Sequence, residues 1–259
     1  MTFSCPELSL TEVLDLARRY GYDGIEPRIE EGHLHGIEAD IPADGRAEAR
    51  RLAEDAGIAV CCIATSRTYA DPARSAMEED LTRRAIDLAA DVGSPRIRVF
   101  GGAIPAGLDR AAAIDVVAGS LSAVAGHARD RGVTVCVETH DDWCDPEHVA
   151  AVVERVDHPS IAVNWDIMHP VRACGQSIDS AFGRLRPWIR HVHFHDGTEG
   201  DAPTLCPIGQ GYVDHRRAVE LLAGVDWPHY MSGEWIGWEP YDAHLPREIA
   251  TMRGYEPVR

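Results

Sequence analysis

A histidine-rich segment, His191 to Asp196, is the part of this sequence best suited to chemistry. It reads His-Val-His-Phe-His-Asp. In a β-strand, successive side chains alternate between two faces, so His191, His193 and His195 would share one face. Three imidazoles on one face of a buried strand need polar or metallic partners, because unpaired buried polar groups cost free energy. The pattern therefore predicts a metal site that also uses carboxylates from other strands.

Three carboxylates stand at the predicted ends of other strands. Glu138 ends Val-Cys-Val-Glu, Asp166 ends Val-Asn-Trp-Asp and Glu234 follows Met-Ser-Gly. Each of them, taken singly, could be a helix cap or an ion-pair partner, and His193 could be a hydrogen-bonded structural histidine. Together, three carboxylates and one imidazole suit Mn²⁺, Mg²⁺ or Co²⁺ better than a structural zinc ion. Without a cation the carboxylates would repel one another and take up protons. We therefore predict that these four residues bind one divalent metal ion, with Mn²⁺ as the preferred candidate.

The elements that must position these residues alternate between short apolar strands and amphipathic helices. Strands are predicted near residues 3, 24, 61, 98, 136, 163, 192 and 232, each followed by a helix. This alternation implies a parallel sheet, and eight such units close into a barrel. An open doubly wound sheet is the alternative, but no G-x-G-x-x-G follows the first strand. We predict an α/β fold, one (β/α)₈ TIM-barrel domain over residues 1–259, with functional side chains at the carboxyl ends of its strands.

Composition and net charge limit the classes of function that suit this protein. A net charge of −17 over 259 residues makes nucleic acid or an anionic membrane an unsuitable partner. We expect no signal peptide and no apolar stretch long enough for a membrane helix. Seven cysteines without a C-x-x-C pair indicate reduced thiols rather than a disulfide framework. The sequence therefore predicts a cytoplasmic protein that acts on a small molecule.

Several motifs resemble the sugar phosphate isomerase/epimerase family, the xylose-isomerase-like TIM barrels. They are Gly-Tyr-Asp-Gly-Ile-Glu (21–26), Val-Glu-Thr-His (137–140), Trp-Asp-Ile-Met-His (165–169), the histidine segment (191–196), Ile-Gly-Gln-Gly-Tyr-Val-Asp (208–214) and Gly-Glu-Trp (233–235). The resemblance implies the same four metal ligands, and it places His169 in contact with the substrate. Dimers and tetramers are frequent in that family, so a homo-oligomer is compatible with the sequence.

The resemblance implies a carbonyl chemistry for a sugar-like polyhydroxy ketone or aldehyde. The metal would polarise the carbonyl and stabilise an enediolate, while Glu138 and Glu234 act as the general base and acid. His140 and His195 are further candidates for substrate binding or proton transfer near neutral pH. Return of a proton to the opposite face of the same carbon gives an epimerase, and protonation of the neighbouring carbon gives an isomerase.

Loss of a β-hydroxyl group would instead give a dehydratase of an inosose-like or dehydroshikimate-like substrate. Three departures disfavour ketohexose epimerisation: His195 replaces a frequent Lys, Cys144 replaces a Glu and Glu199 replaces an Arg. An AP endonuclease is disfavoured by the acidic charge and the absence of Lys, and a barrel scaffold without catalysis is disfavoured by the complete ligand set. A metal-dependent isomerase or epimerase is the leading prediction, with the dehydratase as its alternative.

Overall fold

Strands and helices alternate along the whole chain in the computed structural model, which describes residues 1–200 and 204–257. The strands are β1 (Gly24–Ile25), β2 (Ala59–Val60), β3 (Ile63–Thr68), β4 (Arg96–Phe100), β5 (Thr134–Glu138), β6 (Ile161–Asp166), β7 (Ile189–Phe194), β8 (Asp196–Gly197), β9 (Leu205–Cys206) and β10 (Met231–Gly233). The helices are α1 (Leu10–Tyr20), α2 (Ala43–Ala56), α3 (Ser75–Val92), α4 (Arg110–Arg131), α5 (Pro146–Val156), α6 (Met168–Cys174), α7 (Ile178–Leu185), α8 (His215–Ala223) and α9 (Tyr241–Arg253). Two 3₁₀ turns cover Thr2–Ser4 and Asp141–Trp143.

A curled parallel sheet forms the centre of the fold. Six strands pair in the order β10-β7-β6-β5-β4-β3, and β1 pairs with β2 just before the chain enters β3. The amino-terminal segment links the two edges, because the Met1 amino group donates to the Gly233 carbonyl (2.9 Å) and Thr2 N donates to the Glu26 carbonyl (3.0 Å). This arrangement is compatible with a (β/α)₈ barrel.

The first predicted strand, near residue 3, is absent from the described residues. Thr2–Ser4 forms a 3₁₀ turn there, while its neighbours still hydrogen-bond to both flanking strands. Helix α2 begins at Ala43, and the Asp71-Pro72 pair lies shortly before α3.

The helices follow their sequence signals closely elsewhere. Ser9 and Glu12 form a capping box at the start of α1, which ends at Gly21 in a left-handed conformation (φ 78°). An apolar stripe of α4 is buried from Val117 to Ala128. By length and composition alone α4 could cross a membrane, contrary to our expectation, but its apolar face packs on the sheet between α3 and α5.

Candidate metal centre

Four neighbouring strand ends bring the predicted metal ligands together. Glu138 and Asp166 are the last residues of β5 and β6, His193 lies near the end of β7, and Glu234 directly follows β10. The parallel register places Asp166 opposite His193, so both side chains lie on the inner face. Potential ligand atoms of all four lie within 4.8 Å of one another, and all four residues are buried. The structure therefore assembles the full predicted set.

The His193 ring stands between two of the carboxylates. Its Nδ1 lies 3.2 Å from Glu138 Oε1 and 3.4 Å from Glu234 Oε2. Burial alone would lower the pKa of His193, but the surrounding carboxylates, led by Glu26, outweigh burial and raise this pKa well above its usual value. The Nδ1 position thus favours a positive charge, either a proton or a cation.

Arg98 is the fixed positive charge of the centre. Its side chain is fully buried and faces the carboxylates. Its Nε lies 3.0 Å from Glu138 Oε2 in an ion pair that lacks hydrogen-bond alignment, and its Nη2 lies 3.9 Å from Glu234 Oε1. Its Nη1 donates to the Thr65 carbonyl (2.9 Å). Burial would raise the pKa of Glu234, but His193 and Arg98 outweigh it and hold this pKa at about 2.

Asp166 has one engaged and one free oxygen. Its Oδ1 accepts hydrogen bonds from the backbone N–H groups of Met168 (2.9 Å) and His169 (3.3 Å) at the start of α6. Its Oδ2 lies 3.2 Å from His195 Nε2 without a well-aligned hydrogen bond, and His195 Nδ1 donates to the Glu234 carbonyl (3.1 Å). Burial would lower the pKa of His195, but Asp166 outweighs burial and raises this pKa to about 9. Asp166 therefore favours the protonated form of His195.

The donor set fits a hard divalent cation. Buried oxygens of Glu138 (Oε2) and Asp166 (Oδ2) have no hydrogen-bond partner among the described residues, and His193 Nδ1 faces two acceptor oxygens. Three carboxylates and one imidazole remain the set that Mn²⁺, Mg²⁺ or Co²⁺ prefers.

The three predicted substrate-binding histidines form a row beside Asp166. The ring of His195 lies 5.7 Å from that of His169, which in turn lies 4.4 Å from the ring of His140. His140 Nδ1 is 2.7 Å from Asp141 Oδ1, and the exposed fraction of the side chains grows along the row, from 10% for His195 to 32% for His140. The row leads from the metal centre toward solvent. Its role in substrate binding stays a prediction, as do the assigned roles of Glu138 and Glu234.

Glu26 is a residue of the centre that the sequence reasoning missed. It follows β1, is fully buried, and contacts His191 and His193 behind the metal face. Its place directly after a predicted strand, like those of the other carboxylates, was the signal that could have found it.

Asp196 has a structural role that accounts for two of the motifs recognised in the sequence. Its carboxylate accepts hydrogen bonds from four backbone N–H groups, those of Gly197, Gly209, Gly211 and Val213. A Cβ atom at Gly211 would lie 2.1 Å from Asp196 Oδ1, so only glycine fits there. The histidine segment and the Ile-Gly-Gln-Gly-Tyr-Val-Asp motif therefore meet at one buried carboxylate that shapes the loop after β7.

Comparison with known proteins decides the family. The model of the family described as Xylose isomerase-like TIM barrel matches residues 14–254. The chain belongs to this family. The match confirms the predicted resemblance and the (β/α)₈ fold class.

One curated relative and two solved structures illustrate the range of the family. A 3-dehydroshikimate dehydratase of Bacillus anthracis is 26% identical over 143 residues, a segment that spans 48% of this chain and only 50% of that protein. The structure of the probable 3-DHS dehydratase AsbF of Bacillus anthracis, involved in petrobactin synthesis, superposes with a TM-score of 0.81 at 21% identity and covers 97% of both chains. The structure of D-psicose 3-epimerase in the presence of D-fructose gives a TM-score of 0.78 at 16% identity, covering 96% of this chain and 94% of the other. Both structural likenesses show the fold.

Proposed function

We propose that this protein is a divalent-metal-dependent enzyme that removes a proton from the carbon next to the carbonyl of a small polyhydroxylated substrate. The observation that carries the proposal is the convergence of Glu138, Asp166, His193 and Glu234 within 4.8 Å at the carboxyl ends of four strands. When bound, a divalent cation would supply Lewis-acid polarisation of the carbonyl. Mn²⁺ is our preferred cation.

The residues of the chain divide the remaining tasks. Arg98, whose Nη2 lies 3.9 Å from Glu234 Oε1, helps to keep Glu234 ionised, so this carboxylate can accept a proton from carbon. Glu138 Oε1 lies 3.2 Å from His193 Nδ1, close to Glu234, and we assign it the return of the proton to the substrate. Asp166, tied to the start of α6 through Oδ1, fixes the position of its free Oδ2. The surrounding burial excludes bulk water from the carboxylates.

Dehydration of a dehydroshikimate-like ring ketone is the outcome that we place first. The curated relative that matches 48% of this chain is a 3-dehydroshikimate dehydratase, and Cys144 and Glu199 depart from the ketohexose epimerase pattern. In this reaction a base removes the α-proton, the carbon–carbon double bond forms, and the β-hydroxyl leaves with a proton as water. The row of His140, His169 and His195 lies on the side of Asp166 where such a proton could be supplied.

Isomerisation or epimerisation of a ketose is the second candidate. It is favoured by the proximity of two carboxylates, since Glu138 and Glu234 each approach His193 Nδ1 within 3.4 Å and this reaction needs both a base and an acid.

A substrate screen in deuterated water tests the proposal. Protein loaded with Mn²⁺ is incubated with 3-dehydroshikimate, inososes and ketoses, and the products are followed by NMR. We expect conversion of 3-dehydroshikimate to 3,4-dihydroxybenzoate; exchange of a ketose α-proton without loss of water would establish the second candidate instead. Metal-loaded protein that neither converts nor exchanges any of these compounds would refute the proposed function.

A further inference from the structure

The Glu26 carboxylate joins two histidines of the histidine segment behind the metal centre. His191 Nε2 lies 2.8 Å from Glu26 Oε2, and His193 Nε2 lies 3.0 Å from Glu26 Oε1. All three side chains are completely buried. An ionised carboxylate only accepts hydrogen bonds, so both imidazoles donate from Nε2. The opposite nitrogen of His193, Nδ1, is thereby directed toward Glu138 and Glu234.

The surroundings of Glu26 disfavour a second metal site at the same place. Glu26, Cys61 and His191 also form a compact group of potential ligands. Burial raises the pKa of the Cys61 thiol to about 11, however, and only a thiolate binds a metal. The thiol lies instead 3.7 Å from Ser232 Oγ. Glu26 therefore has two imidazole donors as its hydrogen-bond partners among the described residues.

We propose that Glu26 is a positioning residue that fixes His193 for metal binding. By accepting the Nε2–H of His193, it selects the tautomer whose Nδ1 lone pair faces the cation, and it locks the orientation of the ring. A carboxylate behind a ligating imidazole also raises the basicity of the ligand, and loss of such a partner typically weakens metal binding 10–100-fold. His191 holds the second oxygen of Glu26 and so fixes the carboxylate in turn. This role rests on the proposed function, since it presupposes a cation at His193.

A purely structural role for Glu26 predicts a different result. If the carboxylate only neutralised buried polar groups, its loss would lower stability and leave the metal affinity of the folded protein unchanged. The chain offers a matched control in Glu78, another fully buried carboxylate, which contacts Arg67 and Arg74 and none of the four ligands. Glu78→Gln should lower stability without changing the affinity for metal.

The test is the dissociation constant for Mn²⁺, measured by isothermal titration calorimetry on metal-stripped protein. We expect Glu26→Gln to weaken Mn²⁺ binding 10–100-fold, while Glu78→Gln stays within about two-fold of wild type. Glu26→Asp provides a second variant should the amide fail to fold, because its shorter side chain cannot reach both imidazoles; it should weaken binding several-fold.

A wild-type dissociation constant in a folded Glu26 variant would overturn the positioning role. Absence of Mn²⁺ binding by the wild-type protein would overturn the proposed metal site itself. The two failures are therefore distinguishable in one series of titrations.

Discussion

Replacement of Arg98 by Met tests whether this guanidinium compensates the negative charge of the carboxylates in the centre. Arg98 is a buried guanidinium beside Glu138 and Glu234, and it also donates to the Thr65 carbonyl and stacks on Phe100, with its Cζ 4.0 Å from the ring centroid. Removal of one partner of a buried ion pair costs about 3–5 kcal/mol, because the other charge stays buried and uncompensated. At about 2–4 °C per kcal/mol, the metal-free variant should melt roughly 6–20 °C below wild type.

Bound Mn²⁺ should reduce this deficit. With the cation compensating the carboxylates, the variant would lose only the Thr65 hydrogen bond and the ring stacking, about 1–3 kcal/mol together. The variant's loss of stability is therefore about 2 kcal/mol smaller with Mn²⁺ than without it. By thermodynamic linkage, this corresponds to roughly 30-fold tighter Mn²⁺ binding by Arg98→Met than by wild type. Urea unfolding followed by circular dichroism, with EDTA or with saturating Mn²⁺, measures both deficits.

Arg96→Met is the matched control for this comparison. Arg96 lies two residues earlier on β4 and is buried, but its partners are the Cys61 carbonyl and His229 rather than carboxylates. Arg96→Met should lower the free energy of unfolding by the same amount with and without Mn²⁺. An equal deficit of Arg98→Met in EDTA and in Mn²⁺, or a deficit below about 1 kcal/mol in EDTA, would refute this account of the charge balance.

Further predictions concern catalysis and the loop after β7. Glu138→Gln and Glu234→Gln should each abolish deuterium incorporation at the α-carbon of the substrate, as measured by NMR; exchange that persists in both variants would exclude the two-carboxylate mechanism. Gly211→Ala places a Cβ 2.1 Å from Asp196 Oδ1 and should destabilise the protein by about 2 kcal/mol or more, measured by urea unfolding. Gly126→Ala in α4, where a Cβ meets nothing within 4 Å, should instead be neutral or stabilising by up to about 1 kcal/mol; equal losses in the two variants would speak against the packing argument.

The candidate ligands could be predicted because their positions depend on local strand signals and on the topology of a parallel barrel. Each of Glu138, Asp166 and His193 lies at or near the end of a strand that its own apolar neighbours reveal, and parallel strands in a barrel deliver those ends to one side. The two-residue period also placed His191, His193 and His195 on one face, as the structure shows by their shared contacts with buried carboxylates.

The role of Glu26 could not be predicted in the same way. Its contact with His191 joins residues 165 positions apart, and β1 is only two residues long, so neither spacing nor periodicity linked the two. The direction of Arg98 depends on the strand register, and the alternation of arginines with Ile97 and Val99 in β4 does not say which face is the inner one. The amino-terminal segment turned instead of extending, because hydrogen bonds to both neighbouring strands could be made from the 3₁₀ turn and its flanks.

Anomalous diffraction from crystals soaked in Mn²⁺ is the most direct test of the metal centre. The account predicts one peak per chain, at about 2.0–2.4 Å from a side-chain atom of each of four residues: Glu138, Asp166, His193 and Glu234. A peak at another place in the barrel, or no peak in crystals soaked to saturation, would contradict it.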